Sequence, residues 1–467
     1  MLHYRVLPFI DPELIFINIS HLPGLIFLDS SQDHNHYGRY SFILLNPLKK
    51  YSALNDNQCI YDDLIKWHEV IKANQTQYDE TLPPFTGGLA GYFSYDLSKQ
   101  LERIPSFYKS DFSDFVDKDI NSQLSNHVND YYLGLYNQVV AFDHQAQLCY
   151  LMVTKIVGYD YIDYLQQLEE LNDYYNQAKN NQSKPVQAGL INSINLQSNF
   201  SQQKYMTVVK QAQEYILNGD IFEVNLSQQF SSKVSKNYPF DLLYRKLRKI
   251  NCAPFSAYLN LNELKIMSAS PERFLSIRGR HIEARPIKGT CRRSDDPVQD
   301  HKLADSLQRS AKDRAENIMI VDLMRNDLAK ICTPQSIKVS QLCAVESFTN
   351  IHHLVSVIEG DLKPENSIFE VIPACFPGGS ITGAPKVRAM QVIEELEGGA
   401  QRGVYCGSIG YFGFNGNVDL SIAIRTLVGN NDELSFNVGG AITLYSDAEA
   451  EYNETLLKGQ KLIEALL

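Results

Sequence analysis

Two side chains in neighbouring segments could carry nucleophilic and acid–base chemistry. In Ala284-Arg285-Pro286-Ile287-Lys288-Gly289-Thr290, a lysine sits between a proline that stiffens the backbone and a glycine that opens space beside it. Upstream, Ser270-Pro271-Glu272-Arg273-Phe274 sets a carboxylate at a strand edge. The apolar flanks Leu264–Met267 and Phe274–Ile277 predict a hairpin that turns Glu272 and Lys288 towards one cavity. An amine held there can lose its proton and become a nucleophile. A surface lysine paired with Glu272 or Glu283 fits the same residues, since buried lysines are uncommon.

Four more carboxylates come in two pairs. Asp313 and Glu316 share one face of a helix whose apolar centre, Ile318-Met319-Ile320-Val321, predicts burial. Glu451 and Glu454 repeat the spacing in the last helix. Two such helices could clamp one Mg²⁺ through one or two direct carboxylates and waters. Salt bridges to Lys312, Arg314 or Lys458 would also account for them.

Anion-binding candidates complete the set. Pro377-Gly378-Gly379-Ser380-Ile381-Thr382-Gly383-Ala384-Pro385-Lys386 enters a helix whose free N–H groups suit an anion, with Pro385 expected at the first helical position. Lys386 is displaced for a nucleotide loop and no Ser or Thr follows it, so a carboxylate or a plain helix start fits better. Arg425 lies in an otherwise apolar strand, and Tyr405 opens a neighbouring one. A guanidinium fork there matches a carboxylate, unless it lies on the outer face of an edge strand. Val438-Gly439-Gly440-Ala441 could present further N–H groups. His352-His353 precede an apolar strand or helix, either packed or catalytic.

The elements that must hold these residues divide into two regions. Residues 1–180 read as strands and helices around the Gly-rich strand Phe85–Asp96, with a solvated acidic loop at 109–119. Residues 181–199, rich in Asn, Gln and Ser, read as a linker, and residues 200–467 carry all the candidates above. A long helix is expected over 302–331, and strands over 404–412, 420–428 and 434–442. Gly87–Phe93 echoes Cys406–Phe412, which suggests two sheets of related construction. Strands and helices mix without βαβ alternation, so the fold class is α+β, mainly antiparallel sheets packed as a sandwich with helices outside. At 467 residues, 44% hydrophobic and 21% charged, the chain reads as an ordinary large globular protein. A net charge of −11 argues against nucleic acid or an anionic membrane as partner. No apolar run is long enough to span a bilayer, and the first residues do not form a signal peptide. Eight scattered cysteines without CxxC pairs or zinc spacing fit reduced thiols, hence a cytoplasmic location.

Taken in order, Ser270–Phe274, Arg285–Thr290, Asp313–Asp327, Gly378–Lys386, Tyr405–Phe412 and Glu451–Lys458 resemble the chorismate-utilising enzyme family. The resemblance covers nearly all of 200–467 and reaches the first region through Phe27–Ser30, Arg39–Phe42 and Phe85–Leu97. Within the family, members that make anthranilate carry Ala in the slot of Lys288, and members that aminate chorismate at C4 carry Lys. The water-activating Lys of isochorismate and salicylate synthases falls at Glu223, where amidating members usually have Gln. Ala441 falls where the family usually has Gly.

The resemblance implies a set of roles. Lys288 would attack C2 of chorismate and Glu272 would assist departure of the C4 hydroxyl. Ammonia then adds at C4, giving 4-amino-4-deoxychorismate on the route to para-aminobenzoate and folate. Glu316 and Glu454 would bind Mg²⁺ directly, with Asp313 and Glu451 through water. Thr290, Ser380, Tyr405, Arg425, Gly439 and Gly440 would receive the substrate, and His353 would lie near its ring. No glutaminase signature is present, so ammonia is expected from a separate glutamine amidotransferase subunit. Many members bind tryptophan in the N-terminal sheet near the segment matching Phe27–Ser30, which leaves tryptophan open as a ligand here. Anthranilate synthesis and a non-catalytic, amino-acid-binding regulatory subunit are the rival readings.

Overall fold

Alternating aromatic and β-branched runs pair into two large antiparallel sheets in the computed structural model, which describes residues 1–31, 37–53, 59–77, 79–102, 104, 128–180, 194–348 and 351–467. The acidic loop at 109–119 and most of the linker, 181–193, lie outside the described residues.

Among the described residues the first sheet has twelve strands. Its order is Leu2–Pro8, Leu148–Thr154, Gln138–Asp143, Tyr40–Leu45, Ile26–Asp29, Phe255–Leu261, Leu264–Ser270, Thr426–Gly429, Glu433–Ile442, Glu223–Lys233 and Gly383–Ala384, with Gln197–Ser198 beside Glu223–Lys233. The second has ten: Ile287–Arg292, Ile351–Asp361, His281–Ala284, Arg273–Arg278, Val418–Ile422, Ser408–Gly413, Gly88–Phe93, Tyr131–Tyr136 and Lys49–Ala53, with Lys338–Ser347 beside Ile351–Asp361. Strands from both sides of 181–199 share each sheet. Ile26–Asp29 pairs with Phe255–Leu261, and Gly88–Phe93 pairs with Ser408–Gly413.

Period-two alternation sorts side chains into layers. Ile26, Leu44, Ala90, Tyr92, Tyr136, Ile409 and Tyr411 fill the space between the sheets. The alternate residues Phe27, Ile43, Leu45 and Met267 pack under helices Pro12–Ile19, Tyr164–Asn180, Phe240–Ile250 and Ala448–Leu466. On the far side, Leu89, Phe93, Phe412 and Leu420 meet Trp67 of Ile60–Ala73 and Val321 and Leu328 of Ala311–Ile331. The expected α+β sandwich with outer helices is therefore the fold found.

Several local expectations give way to packing. The helix expected over 302–331 is two, Pro297–Arg309 and Ala311–Ile331, broken at Ser310, whose hydroxyl caps the second helix by accepting from the Asp313 N–H. The second helix is not buried all round: Ile318 is exposed, and Asn317, Ile320 and Val321 form the inner face. The strand expected from 404 begins at Ser408.

The sequence echo also resolves differently, because its two copies lie in one sheet as direct neighbours. Gly91 stands opposite Gly410 across an antiparallel pair, so the copies are related by a local two-fold. A Cβ on Gly91 would lie 1.8 Å from the Tyr132 carbonyl oxygen, and one on Gly410 would lie 1.9 Å from that of Asp419. Each glycine admits the close approach of its own neighbouring strand, Tyr131–Tyr136 or Val418–Ile422. Gly91→Ala and Gly410→Ala should each cost about 3 kcal/mol, read as matched drops in midpoint by thermal unfolding. Wild-type midpoints in both would remove the glycines from this account.

Candidate active site

Pro286 has no N–H to donate and ends the strand His281–Ala284. The expected hairpin forms between Arg273–Arg278 and His281–Ala284, but Lys288 lies beyond it on the next strand, Ile287–Arg292, which pairs with Ile351–Asp361. Its register shifts between Ile287 and Thr290, and Gly289 takes φ +87° at that bulge. Lys288 is thereby turned inwards and is 9% exposed. A Cβ on Gly289 would meet the Asp313 carboxylate at 2.9 Å, so the glycine lets the first acidic helix approach.

Glu272 does come within electrostatic reach of Lys288. Its carboxyl accepts from the Ser380 hydroxyl at 2.8 Å and from the Ile287 N–H. Burial pushes its pKa up to about 7, against the opposing pull of Ser380, Lys288, Ile287 and Arg425. The group can therefore hold a proton near neutrality.

The partner of Lys288 is neither Glu272 nor Glu283. Its Nζ donates to Oε1 of Glu223 at 2.6 Å. Glu223 opens the strand Glu223–Lys233, has no solvent exposure, and its Oε2 has no hydrogen-bond partner among the described residues. Burial pushes the lysine pKa down, but Glu223, Glu316 and Glu272 outweigh it, and the net direction is up. The amine expected to shed its proton through burial is instead held as an ammonium, because a carboxylate was placed against it.

Arg425 lies in the break between Val418–Ile422 and Thr426–Gly429 rather than inside a strand, with φ +51°. Among the described residues its side chain makes no hydrogen bond or ion pair. Burial lowers its pKa, and Glu272 is the charge that opposes this. His353 lies within the strand Ile351–Asp361 and pairs with the Thr290 hydroxyl at 2.8 Å. Burial, then Arg425 and His352, lowers its pKa to about 4, so its ring is neutral at pH 7. His352 instead bridges Ser347 and Asp300, at 2.8 and 3.0 Å. Tyr405 is buried in the turn before Ser408–Gly413, beside Cys406, which lies within electrostatic reach of Glu272.

The two acidic pairs face one another. Lys312, at the start of Ala311–Ile331, acts electrostatically on Glu316, Glu451 and Glu454, and Lys288 acts on Glu316 and Glu454. Burial and neighbouring carboxylates push Glu316 and Glu451 up. Lys458 holds Glu454 at 2.7 Å, and Ser446 holds Glu451 at 2.6 Å. No three of these carboxylates are gathered as a metal cluster among the described residues. The donor set nevertheless suits a hard cation, with four carboxylates offered by two helices, and Gly440 lies beside it, where a Cβ would make ordinary contact with Glu451 at 3.4 Å, Lys458 at 3.6 Å and Glu454 at 3.8 Å. Gly439 and Ala441 flank it in the strand Glu433–Ile442, where Ala441 pairs with Asn225 without positive φ.

Two features had no sequence signal. Arg402 and Glu397 form a buried pair at 2.6 Å that also binds the Asn225 carbonyl and the Ser227 N–H, fixing the strand that carries Glu223. Lys386, read as displaced from an anion site, is buried against Asp327, and Pro385 is the helix cap rather than its first residue. In the segment named for tryptophan, Asp29 already receives Arg248 at 2.7 Å and Tyr244 at 3.1 Å.

Comparison with known proteins bears on this geometry. Aminodeoxychorismate synthase component 1 of Escherichia coli is 36% identical over 97% of this chain and 96% of its own. Anthranilate synthase component 1 of Aquifex aeolicus is 35% identical over 94% and 89%. Among solved structures, anthranilate synthase component I from Streptococcus pneumoniae superposes with a TM-score of 0.76 at 29% identity, covering 92% of this chain and 95% of that one. The model of the chorismate binding enzyme family matches residues 25–464, and the chain belongs to that family.

Proposed function

We propose that this chain converts chorismate and ammonia to 4-amino-4-deoxychorismate, with Lys288 as a covalent nucleophile. The observation that carries the reading is a buried lysine amine within electrostatic reach of a buried carboxyl group poised near neutrality. Full-length similarity to aminodeoxychorismate synthases supports it.

The lysine Nζ attacks C2 while the C4 hydroxyl leaves as water, taking its proton from Glu272. Ammonia adds at C4 and the lysine departs from C2. The Glu272 carboxylate then takes a proton from the new C4 ammonium. The Arg425 fork and the Ser380 turn receive the carboxylates of the substrate, and Tyr405, Thr290, Gly439 and Gly440 line its approach. His353, neutral at working pH, lies towards the ring. Mg²⁺ held by Glu316 and Glu454 directly, and by Asp313 and Glu451 through water, would supply positive charge for the ring carboxylate. The name component 1 carried by the relatives supports a second component, a glutamine amidotransferase, as the ammonia source. No described helix is long and apolar enough to cross a membrane; the proposed reaction belongs to cytoplasmic biosynthesis directed towards folate.

The test is the purified chain with chorismate, Mg²⁺ and ammonium. We expect 4-amino-4-deoxychorismate; fluorescent anthranilate would establish the rival activity instead. Lys288→Ala should lose both the product and any chorismate-derived mass on the protein, and undiminished turnover would end the covalent role. Glu272→Gln should slow turnover by about 10²–10⁴-fold. In the unaltered protein, adduct formation should fall as pH rises through about 7, because Glu272 acts in its protonated form. A rate that stays flat to well above that pH would remove Glu272 as the acid. Glu316→Gln should cost more than about 100-fold, since loss of even an outer partner of a metal ligand costs 10–100-fold. An unchanged Mg²⁺ titration would exclude Glu316 from the metal site.

A further inference from the structure

An ammonium has no lone pair, so Lys288 cannot attack carbon until some group takes its proton. The charged groups facing it are Glu223 from the strand Glu223–Lys233, Glu316 from Ala311–Ile331, Glu272 from the turn before Arg273–Arg278, and Glu454 from Ala448–Leu466. Only Glu223 is hydrogen-bonded to the amine among the described residues. Glu272 is occupied by Ser380 and Ile287. Glu316 and Glu454 are turned towards Lys312 and Lys458, at 3.9 and 2.7 Å.

We propose that Glu223 is the base that takes the proton from Lys288 as the amine attacks, and that returns it when the amine leaves. The inference rests on the nucleophilic role given to Lys288 above. The 2.6 Å hydrogen bond is the path of the proton. The second oxygen, Oε2, is buried with no hydrogen-bond partner among the described residues, so the carboxylate is committed to no donor but the amine. A buried ion pair is held together against the cost of desolvating both charges. When substrate fills the cavity and displaces its water, that cost grows, and transfer of one proton converts the pair into a neutral amine and a neutral acid. The nucleophile is thus armed only with substrate in place.

The protons balance over the cycle. Glu223 gains one from the ammonium and gives it back to the departing amine. Glu272 gives one to the leaving hydroxyl and regains one from the C4 ammonium. Chorismate and ammonia become product and water.

The test follows adduct formation on Lys288 by rapid quench and intact-protein mass, with chorismate and Mg²⁺ but no ammonium, across pH. For the unaltered protein we expect no ascending limb from about pH 6 upward, only the fall near 7 set by Glu272. In Glu223→Gln the amine must give its proton to water, so adduct formation at pH 7 should slow by about 10–100-fold and an ascending limb should appear. Glu223→Asp, which keeps a carboxylate, should restore the original shape at a reduced rate. A Glu223→Gln protein that unfolds at the wild-type temperature yet keeps the original rate and profile overturns the proposal. So does an ascending limb in the unaltered protein, which needs no variant to fold. If product forms with ammonium but no adduct is ever seen, the covalent role of Lys288 fails, and this inference with it; an adduct with the wrong pH profile leaves that role standing and removes only Glu223.

Discussion

A lysine and a glutamate 2.6 Å apart, both shut away from solvent, set the terms for the rest of the site. Removing either partner would leave an uncompensated buried charge, which costs several kcal/mol, so the surrounding fold must hold both. The two sheets divide that task. Glu223 stands on the first sheet and Lys288 on the second, and the pair ties one layer to the other at the end of the sandwich where the acidic helices arrive.

Each side of that contact has its own support. On the first sheet, the buried Arg402–Glu397 pair clamps the strand of Glu223 through Asn225 and Ser227, so the carboxylate cannot retreat. On the second, Pro286 and the Gly289 bulge turn the lysine inwards and admit Asp313 beside it. Glu272 is fixed by Ser380 and by the backbone of Ile287, the residue before the lysine. The proposed acid, nucleophile and base are thus held by elements far apart in sequence. That arrangement keeps proton donor and proton acceptor on separate hydrogen bonds.

Much of this was legible in the chain itself. Alternating strands without βαβ order pointed to an antiparallel sandwich, and Lys288, Glu272, the two acidic pairs and Arg425 each stood out as a charge in an apolar setting. What was not legible depends on contacts between distant segments. Nothing in the spacing of Glu223 and Lys288 says they touch, and the departure at 223 could be noticed without its partner being known. The break at Ser310 was hidden because helical periodicity runs across it, and only the cap at Asp313 reveals it. The twin glycine strands were visible as a repeat, but their direct pairing is a fact of register that single-strand patterns do not carry.

Charge balance couples the proposed base, acid and cation. Glu223, Glu316 and Glu454 act electrostatically on or with Lys288, with Asp313 and Glu451 beside them on the acidic helices, while the basic groups of the proposed dianion site are Lys288, Lys312, Lys458 and Arg425. Of these, Lys288 is neutralised by Glu223, and Lys458 by Glu454 at 2.7 Å. Among the described residues Arg425 has no such partner, and one guanidinium cannot offset two substrate carboxylates in a desolvated site. A divalent cation on the acidic helices would supply the missing charge and remove the repulsion that raises Glu316 and Glu451. The same ion would draw Glu454 from Lys458 and weaken the negative field that keeps Lys288 charged. With the proposed cation in place, transfer of the proton to Glu223 would meet less opposition from that field. On the proposed reading, the same electrostatics that let an acidic protein bind an acidic substrate would hold its nucleophile protonated until that substrate arrives.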